Sequence, residues 1–189
     1  DGLGTKVTVV NRSETLLRHL DDELSSRFNQ IARDRFDVRI ANGTKLEETD
    51  TGVRLELDNG ESIEAEAILV ATGRTPNGDQ MDVDKAGIEL LADARVSTDE
   101  FGRTTAEGVW ALGDVSSPYM LKHVANAETR AVQHNLLHPE DLRPLPHDNV
   151  PAAIFTHPQI ATVGLTEKQA RQKGFDVTVK VQNFGDVAY

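Results

Sequence analysis

An apolar strand that runs straight into a Gly-Asp pair and is followed by a helix limits the folds that this chain can adopt. The four apolar residues 109–112 predict the strand, Gly113 and Asp114 follow it, and a helix is predicted from Lys122 to about Leu137. A glycine lets a ligand approach the backbone, and a carboxylate accepts hydrogen bonds from hydroxyl groups. This order predicts a site for a large cofactor with hydroxyl and anionic groups. An ordinary turn with an acidic helix cap is the alternative.

The composition favours a soluble, cytoplasmic protein without nucleic-acid or membrane partners. The 189 residues include 31 acidic and 20 basic residues, a formal charge of −11, whereas nucleic-acid binding calls for a basic surface. Cysteine is absent, so this chain can form no disulfide, thiolate metal site or cysteine nucleophile. No apolar run approaches the roughly 18 residues of a membrane span.

The first third of the chain has the pattern of the second half of a dinucleotide-binding βαβ fold with an inserted antiparallel hairpin, the C-terminal part of such a domain. A β-branched run at residues 6–10 predicts a buried parallel strand, and Asp21 and Asp22 mark a helix start, where acids favour the helix dipole. The remaining predicted elements are a strand at 37–41, a hairpin at 53–65 around the turn 58–60, and an apolar strand at 67–71 that returns to the parallel sheet.

The rest of the chain predicts a second domain and the start of a third. The predicted elements are a short strand at 95–98, a proline-rich linker at 138–147, strands at 150–155 and 160–164, a helix capped by Thr166 and closed by Gly174, and a strand at 176–182. These elements predict domains at residues 1–76, 77–146 and 147–189. Because both ends interrupt a unit, we expect a fragment of a longer chain.

Two arginines near the first strand predict a phosphate-binding pocket in an otherwise acidic chain. In a dinucleotide fold, an acid at the end of the second strand binds the 2′-hydroxyl of NAD, whereas arginine favours the 2′-phosphate of NADP. Here the strand is followed by Asn11, Arg12 and Ser13, with Arg18 further on and no acid before Glu14. The alternative is that both arginines are ordinary surface charges.

Three motifs in this order resemble the flavin-dependent pyridine nucleotide–disulfide reductases. They are residues 71–77 (ATGRTPN), 108–114 (GVWALGD) and 156–167 (THPQIATVGLTE). The stretches 113–126, 133–137 and 185–189 narrow the resemblance to members that reduce a low-molecular-weight thiol disulfide. The resemblance implies an α/β fold of FAD- and NAD(P)-binding Rossmann-like domains, followed by the start of an α+β dimerisation domain.

The resemblance also implies roles for individual residues. Asp114 would bind the ribityl hydroxyls of FAD, and Gly73 would lie beside NADPH, although a simple loop glycine is the alternative for Gly73. Four residues would line the flavin at the start of the helix: Met120, Leu121, Lys122 and His123. For His123 the alternative is a helix residue that makes local hydrogen bonds. His157 is expected to be structural, and its bond to Pro158 can be cis or trans.

The implied reaction passes a hydride from NADPH to FAD, then reduces a protein disulfide, whose dithiol reduces a small-molecule disulfide. The resemblance places the redox cysteines and both glycine-rich loops before residue 1, and the histidine–glutamate acid–base pair after residue 189. No catalytic residue is therefore expected in this segment, which alone should be inactive, while the whole protein should be a homodimer. Two alternatives stay open: a related flavoprotein such as lipoamide dehydrogenase, and a non-catalytic nucleotide-binding module.

Overall fold

The computed structural model describes residues 2–187, which divide into two compact units. One unit contains the chain up to Ala71 together with the residues from Leu165 onward, and the other is Thr72–Gly164. Compact units and evolutionary domains are different divisions of a chain, so the boundaries predicted after residues 76 and 146 stay predictions.

The first unit begins with a strand, a helix and a parallel strand, as the sequence predicted. Strand β1 (Thr8–Asn11) pairs in parallel with β2 (Asp37–Ile40), and helix α1 (Asp22–Arg35) connects them. The helix has acids in its first turn and arginines in its last turn, an arrangement that its dipole favours. The residues of β1 are half-buried, whereas the sequence predicted a buried strand.

A three-stranded antiparallel sheet follows, formed by β3 (Gly43–Thr49), β4 (Gly52–Leu57) and β5 (Ser62–Ala65). The predicted hairpin is confirmed as β4 and β5, in which Leu55 lies opposite Ile63. Strand β3 was not predicted, because most of its side chains are exposed and polar and no apolar run marks it in the sequence.

The second unit is built on helix α2 (Lys122–Leu137), whose predicted bounds are confirmed. The linker that follows has no helix or strand, and an antiparallel pair, β6 (Ala152–Ile154) and β7 (Ile160–Thr162), comes after it. The two strands are joined through a turn in which the His157–Pro158 peptide bond is cis.

Helix α3 (Glu167–Gln172) belongs to the first unit and begins at the predicted cap. The Thr166 hydroxyl accepts a hydrogen bond from the Gln169 amide at 3.2 Å, and the Gln169 side chain accepts one from the Thr166 amide at 3.0 Å. This reciprocal pair satisfies two helix-end donors. The Asp21 carboxylate, at the start of α1, accepts a third hydrogen bond from the Glu167 amide at 2.8 Å.

Four predicted strands were wrong. Residues 67–71 and 176–182 have no strand hydrogen bonding within the described chain, and Leu69 is 88% exposed. The other two strands shrink to isolated bridges, Val96 with Leu90 and Trp110 with Arg103. Apolar and β-branched residues predict a strand, but only a neighbouring strand supplies the hydrogen bonds that form one. Beyond the two bridges, these four segments form no strand with any described residues, although the Val96 amide also donates to the Val115 carbonyl at 2.8 Å.

The buried apolar core of each unit is small. In the first unit it includes Leu20, Ala32 and Leu57, and in the second it includes Val96, Val124 and Val132. Among the described residues, no helix is both long and apolar enough to cross a membrane.

Candidate cofactor-binding site

The Gly-Asp pair forms a tight turn that presents a free carboxylate. Residues Gly113–Val115 make one 3₁₀ turn, and the buried Gly113 has φ +69°, a left-handed conformation that glycine adopts without strain. The amides of Ser116 and Ser117 donate to the Gly113 carbonyl at 3.0 and 2.7 Å. Asp114 is exposed, and no described residue donates a hydrogen bond to its carboxylate. The turn is fixed, while the carboxylate is available to a ligand.

Helix α2 holds this turn from behind. The Glu128 Oε2 atom accepts a hydrogen bond from the Gly113 amide at 2.6 Å. A β-carbon at Gly113 would lie only 3.3 Å from the Ala125 Cβ, so the turn packs closely on the helix. The Glu128 Oε1 atom accepts a second hydrogen bond from the His147 ring at 2.6 Å.

The buried Glu128 carboxylate is kept ionised by its partners. Burial alone would raise the pKa of Glu128, but hydrogen bonds from His147, Ser117 and the Gly113 amide together hold it below its ordinary value. Glu128 was not among the residues predicted from the sequence. The available signal was its position on the same helical face as Val124 and Val132, about one turn from each, where an acid is unusual.

The four residues predicted to line a flavin lie at the N-terminal end of α2, two just before the helix and two in its first turn. The Met120 carbonyl accepts a hydrogen bond from the Arg74 guanidinium at 3.3 Å, and Leu121 is the residue before the first helical turn. Leu121 provides no side-chain cap, and the first turn contains no acid, so its amides face no side-chain acceptor from these residues. Lys122 is exposed.

His123 is held by the main chain of a neighbouring loop. Its exposed ring lies with Nε2 2.8 Å from the Pro151 carbonyl oxygen, to which the ring N–H donates. The alternative of local hydrogen bonding within the helix therefore does not describe this side chain. The contact with Pro151 spans 28 residues and fixes the ring at the start of α2.

The two arginines of the predicted phosphate pocket lie in the loop after β1 and are exposed. Neither Arg12 nor Arg18 makes a hydrogen bond or an ion pair with the described part of the chain. Asn11 donates from its side chain to the Ser13 carbonyl at 2.5 Å, which turns the chain directly after the strand. The structure places Asn11 at the end of β1 and Arg12, Ser13 and Arg18 in the loop that follows, and it leaves both guanidinium groups available.

Side chains of helix α1 hold the main chain of this loop at Leu16 and Leu17. The Asn29 side chain accepts a hydrogen bond from the Leu16 amide at 2.9 Å and donates one to the Leu16 carbonyl at 3.0 Å. The buried Ser25 hydroxyl donates to the Leu17 carbonyl at 2.7 Å. The Arg33 guanidinium donates a fourth hydrogen bond to the Glu14 carbonyl at 3.2 Å, so side chains of α1 hold the loop that carries Arg12 and Arg18.

Gly73 lies in the second unit, where a β-carbon would meet no atom within 4 Å. Nothing among the described residues requires a glycine for space at this position. A cavity of about 630 Å³ also lies in this unit, but its lining, which includes Arg103 and Trp110, contains none of the predicted site residues. The turn at Asp114, with its available carboxylate, is therefore the better candidate for a cofactor site than this cavity.

Comparison with known proteins identifies the family. Residues 1–131 match the model described as pyridine nucleotide-disulphide oxidoreductase, and residues 150–189 match the dimerisation domain of the same family. The first match alone covers more than half of the chain.

The chain belongs to the pyridine nucleotide-disulphide oxidoreductase family.

Relatives in this family agree along almost the whole chain. Mycothione reductase from Mycobacterium tuberculosis is 53% identical over 99% of the chain, and glutathione reductase from Burkholderia cepacia is 33% identical over 95%. The chain covers only 42% and 40% of these two relatives. A solved structure of the HOCl-induced flavoprotein disulfide reductase RclA from Escherichia coli superposes with a TM-score of 0.82 and 28% identity, covering 92% of this chain and 40% of RclA.

The family match confirms the resemblance and the α/β fold class that the sequence predicted. The roles of Asp114, of the segment 120–123, of the loop 11–18 and of Gly73 stay predictions. The predicted similarity at residues 185–189 extends to residues 188 and 189, which lie outside the described residues.

Proposed function

We propose that this chain is part of a flavoenzyme that uses NADPH to reduce the disulfide of a low-molecular-weight thiol, with mycothione as the substrate. Family membership and the 53% identity to a mycothione reductase support this reaction. The observation that carries the proposal is Asp114, whose unpaired carboxylate stands on a braced turn beside the start of a long helix.

The Asp114 carboxylate accepts hydrogen bonds from the hydroxyls of the FAD ribityl chain. Four residues before and within the first turn of α2 (Met120, Leu121, Lys122 and His123) line the flavin ring. The free amides of this turn favour negative charge, which suits a reduced flavin. Bound FAD supplies the transfer of electrons between nicotinamide and thiols.

The loop after β1 holds the adenosine end of NADPH. Arg12 and Arg18 pair with the 2′-phosphate, because two guanidinium groups supply charge-assisted donors to a dianion. Asn11 and Ser13 shape the loop at the end of the strand, and Gly73 leaves open space for the coenzyme.

The thiol chemistry comes from residues outside this segment, since the 189 residues contain no cysteine. We therefore expect the isolated segment to show no NADPH-dependent disulfide reduction, and measurable turnover by it would contradict this account. The complete protein acts in the cytoplasm as a homodimer, joined through the domain that begins near residue 150.

Flavin binding by Asp114 is tested in the full-length protein with Asp114→Ala. Loss of the carboxylate removes the ribityl acceptor, so we expect FAD affinity to fall about ten- to a hundredfold, as for a hydrogen bond to a charged group. Asp79→Ala is the matched control, because Asp79 is exposed in the same unit and makes no described hydrogen bond. Equal FAD affinity in both variants would remove Asp114 from the site.

Coenzyme choice and substrate are tested with the same protein. We expect NADPH to be preferred over NADH, and Arg12→Glu to lower kcat/KM for NADPH about tenfold or more while changing NADH little. Arg27→Glu, an equal charge change on the exposed face of α1, is the control. Faster turnover of lipoamide or glutathione disulfide than of mycothione would assign a different substrate and leave the flavin and coenzyme sites in place.

A further inference from the structure

A buried carboxylate lies behind the proposed flavin anchor. The Glu128 side chain is 0% exposed. Burying a carboxylate is costly unless hydrogen bonds replace its water, and for Glu128 they do. None of the described hydrogen-bond partners of this carboxylate belongs to α2. They lie in segments that pack against the helix from other parts of the chain.

The carboxylate joins the segments that flank the flavin site. Oε2 accepts from the amide of Gly113, the residue before Asp114, while Oε1 accepts from the His147 ring, both at 2.6 Å. The His147 ring meets Tyr119 edge to face with 5.3 Å between centroids, and the Tyr119 hydroxyl donates to the His147 carbonyl at 3.4 Å. Tyr119 directly precedes Met120, so one side chain connects the turn, the helix and the segment before the helix.

We propose that Glu128 is a positioning residue of the flavin site, which sets the place of the Asp114 carboxylate through the Gly113 amide. This inference rests on the proposed function. The length of the side chain decides whether this hydrogen bond forms, because a carboxylate oxygen must extend from the backbone of α2 to the Gly113 amide. Without that acceptor the buried amide has no partner in the described structure, and the turn relaxes together with Asp114.

Three substitutions separate the effect of the length of the Glu128 side chain, its reach, from the effect of its charge. Glu128→Gln keeps the reach, because its amide oxygen accepts from Gly113 and its NH₂ donates to the other tautomer of His147. Glu128→Asp keeps the charge but withdraws the oxygens by about 1.5 Å, one carbon–carbon bond. Glu128→Ala removes both. If reach decides, Gln is milder than Asp, and if charge decides, the order is reversed.

The matched control is Asn135→Ala, two turns further along the same helix. Asn135 is also buried, at 1% exposure, and it braces Phe101 and Arg143 by hydrogen bonds of 2.7–3.2 Å without touching the turn. Its loss should destabilise the protein and leave the flavin site in place, which separates a positioning effect from a general loss of stability.

The experiment measures the FAD dissociation constant and the visible flavin spectrum of the full-length protein. We expect the dissociation constant to rise less than about threefold for Gln and Asn135→Ala, and about tenfold or more for Asp and Ala, with a shifted flavin band only in the last two. If the alanine variant fails to fold, the comparison of Gln with Asp decides.

The outcomes distinguish this inference from the function on which it rests. Wild-type protein that binds no FAD overturns the proposed function and this inference with it. Wild-type protein that binds FAD, with the aspartate variant as tight as the glutamine variant or tighter, overturns the positioning role alone. An equal loss in Asn135→Ala and the Glu128 variants also overturns it, because the effect is then one of stability.

Discussion

Replacing Gly113 with alanine tests how the turn is held against helix α2. The residue has φ +69°, and a left-handed backbone costs a residue with a β-carbon about 1–2 kcal/mol. The new methyl group would also lie 3.3 Å from the Ala125 Cβ, inside the roughly 3.5–4.0 Å of favourable carbon contacts. The turn must then move away from the helix by a few tenths of an ångström or lengthen its hydrogen bond to Glu128.

Gly108→Ala is the matched control for this substitution. Gly108 has φ +76° in the same unit, and a β-carbon there would meet nothing within 4 Å. Both variants should lose about 1–2 kcal/mol of unfolding free energy from backbone strain, and Gly113→Ala should lose about 1 kcal/mol more from the crowded contact. The displacement should weaken FAD binding only in the Gly113 variant.

The assay is urea unfolding of the full-length protein together with titration of FAD into the flavin-free form. The two variants share the backbone term, so their difference isolates the contact with the helix. If Gly113→Ala is no less stable than Gly108→Ala and binds FAD as tightly as the wild type, the turn is not held as described.

Two further predictions concern the ionised carboxylate and a helix cap. Because the pKa of Glu128 in the folded state lies below its ordinary value, its contribution to stability is complete above the unfolded pKa and is lost as pH falls through the folded pKa. In urea unfolding between about pH 3 and 6, the unfolding free energy of the wild type should therefore fall more steeply with acid than that of Glu128→Gln. An equal dependence on pH in both proteins would refute this prediction. Thr166→Ala should cost about 1 kcal/mol through loss of the cap, measured by urea unfolding against the exposed Thr51→Ala, and an equal cost in both would show that the capping hydrogen bonds do not stabilise α3.

The sequence predicted those elements whose signals are local. The helices α1, α2 and α3 follow from periodicity and end residues, and the hairpin of β4 and β5 follows from alternation around a tight turn. Residues 67–71 and 176–182 carried an equally clear strand signal and form no strand, because pairing depends on which strand lies alongside. The presence of a neighbouring strand depends on the whole fold and cannot be predicted from the sequence of the segment itself.

The candidate site also combines residues that a local sequence signal predicts with one that only the folded chain reveals. The importance of Gly113 and Asp114 could be predicted, since a glycine followed by an acid has direct consequences for backbone approach and hydrogen bonding. Glu128 could not be predicted in the same way. An acid in the middle of a helix is normally exposed, and only the folded chain shows that Gly113 and His147 meet at this carboxylate.

The most direct test of the account is a crystal structure of the full-length protein with FAD bound. We expect an Asp114 carboxylate oxygen within about 3 Å of a ribityl hydroxyl, while Glu128 still accepts the Gly113 amide. A bound flavin whose ribityl chain has no contact with Asp114 would contradict the proposal that this braced turn is the flavin anchor.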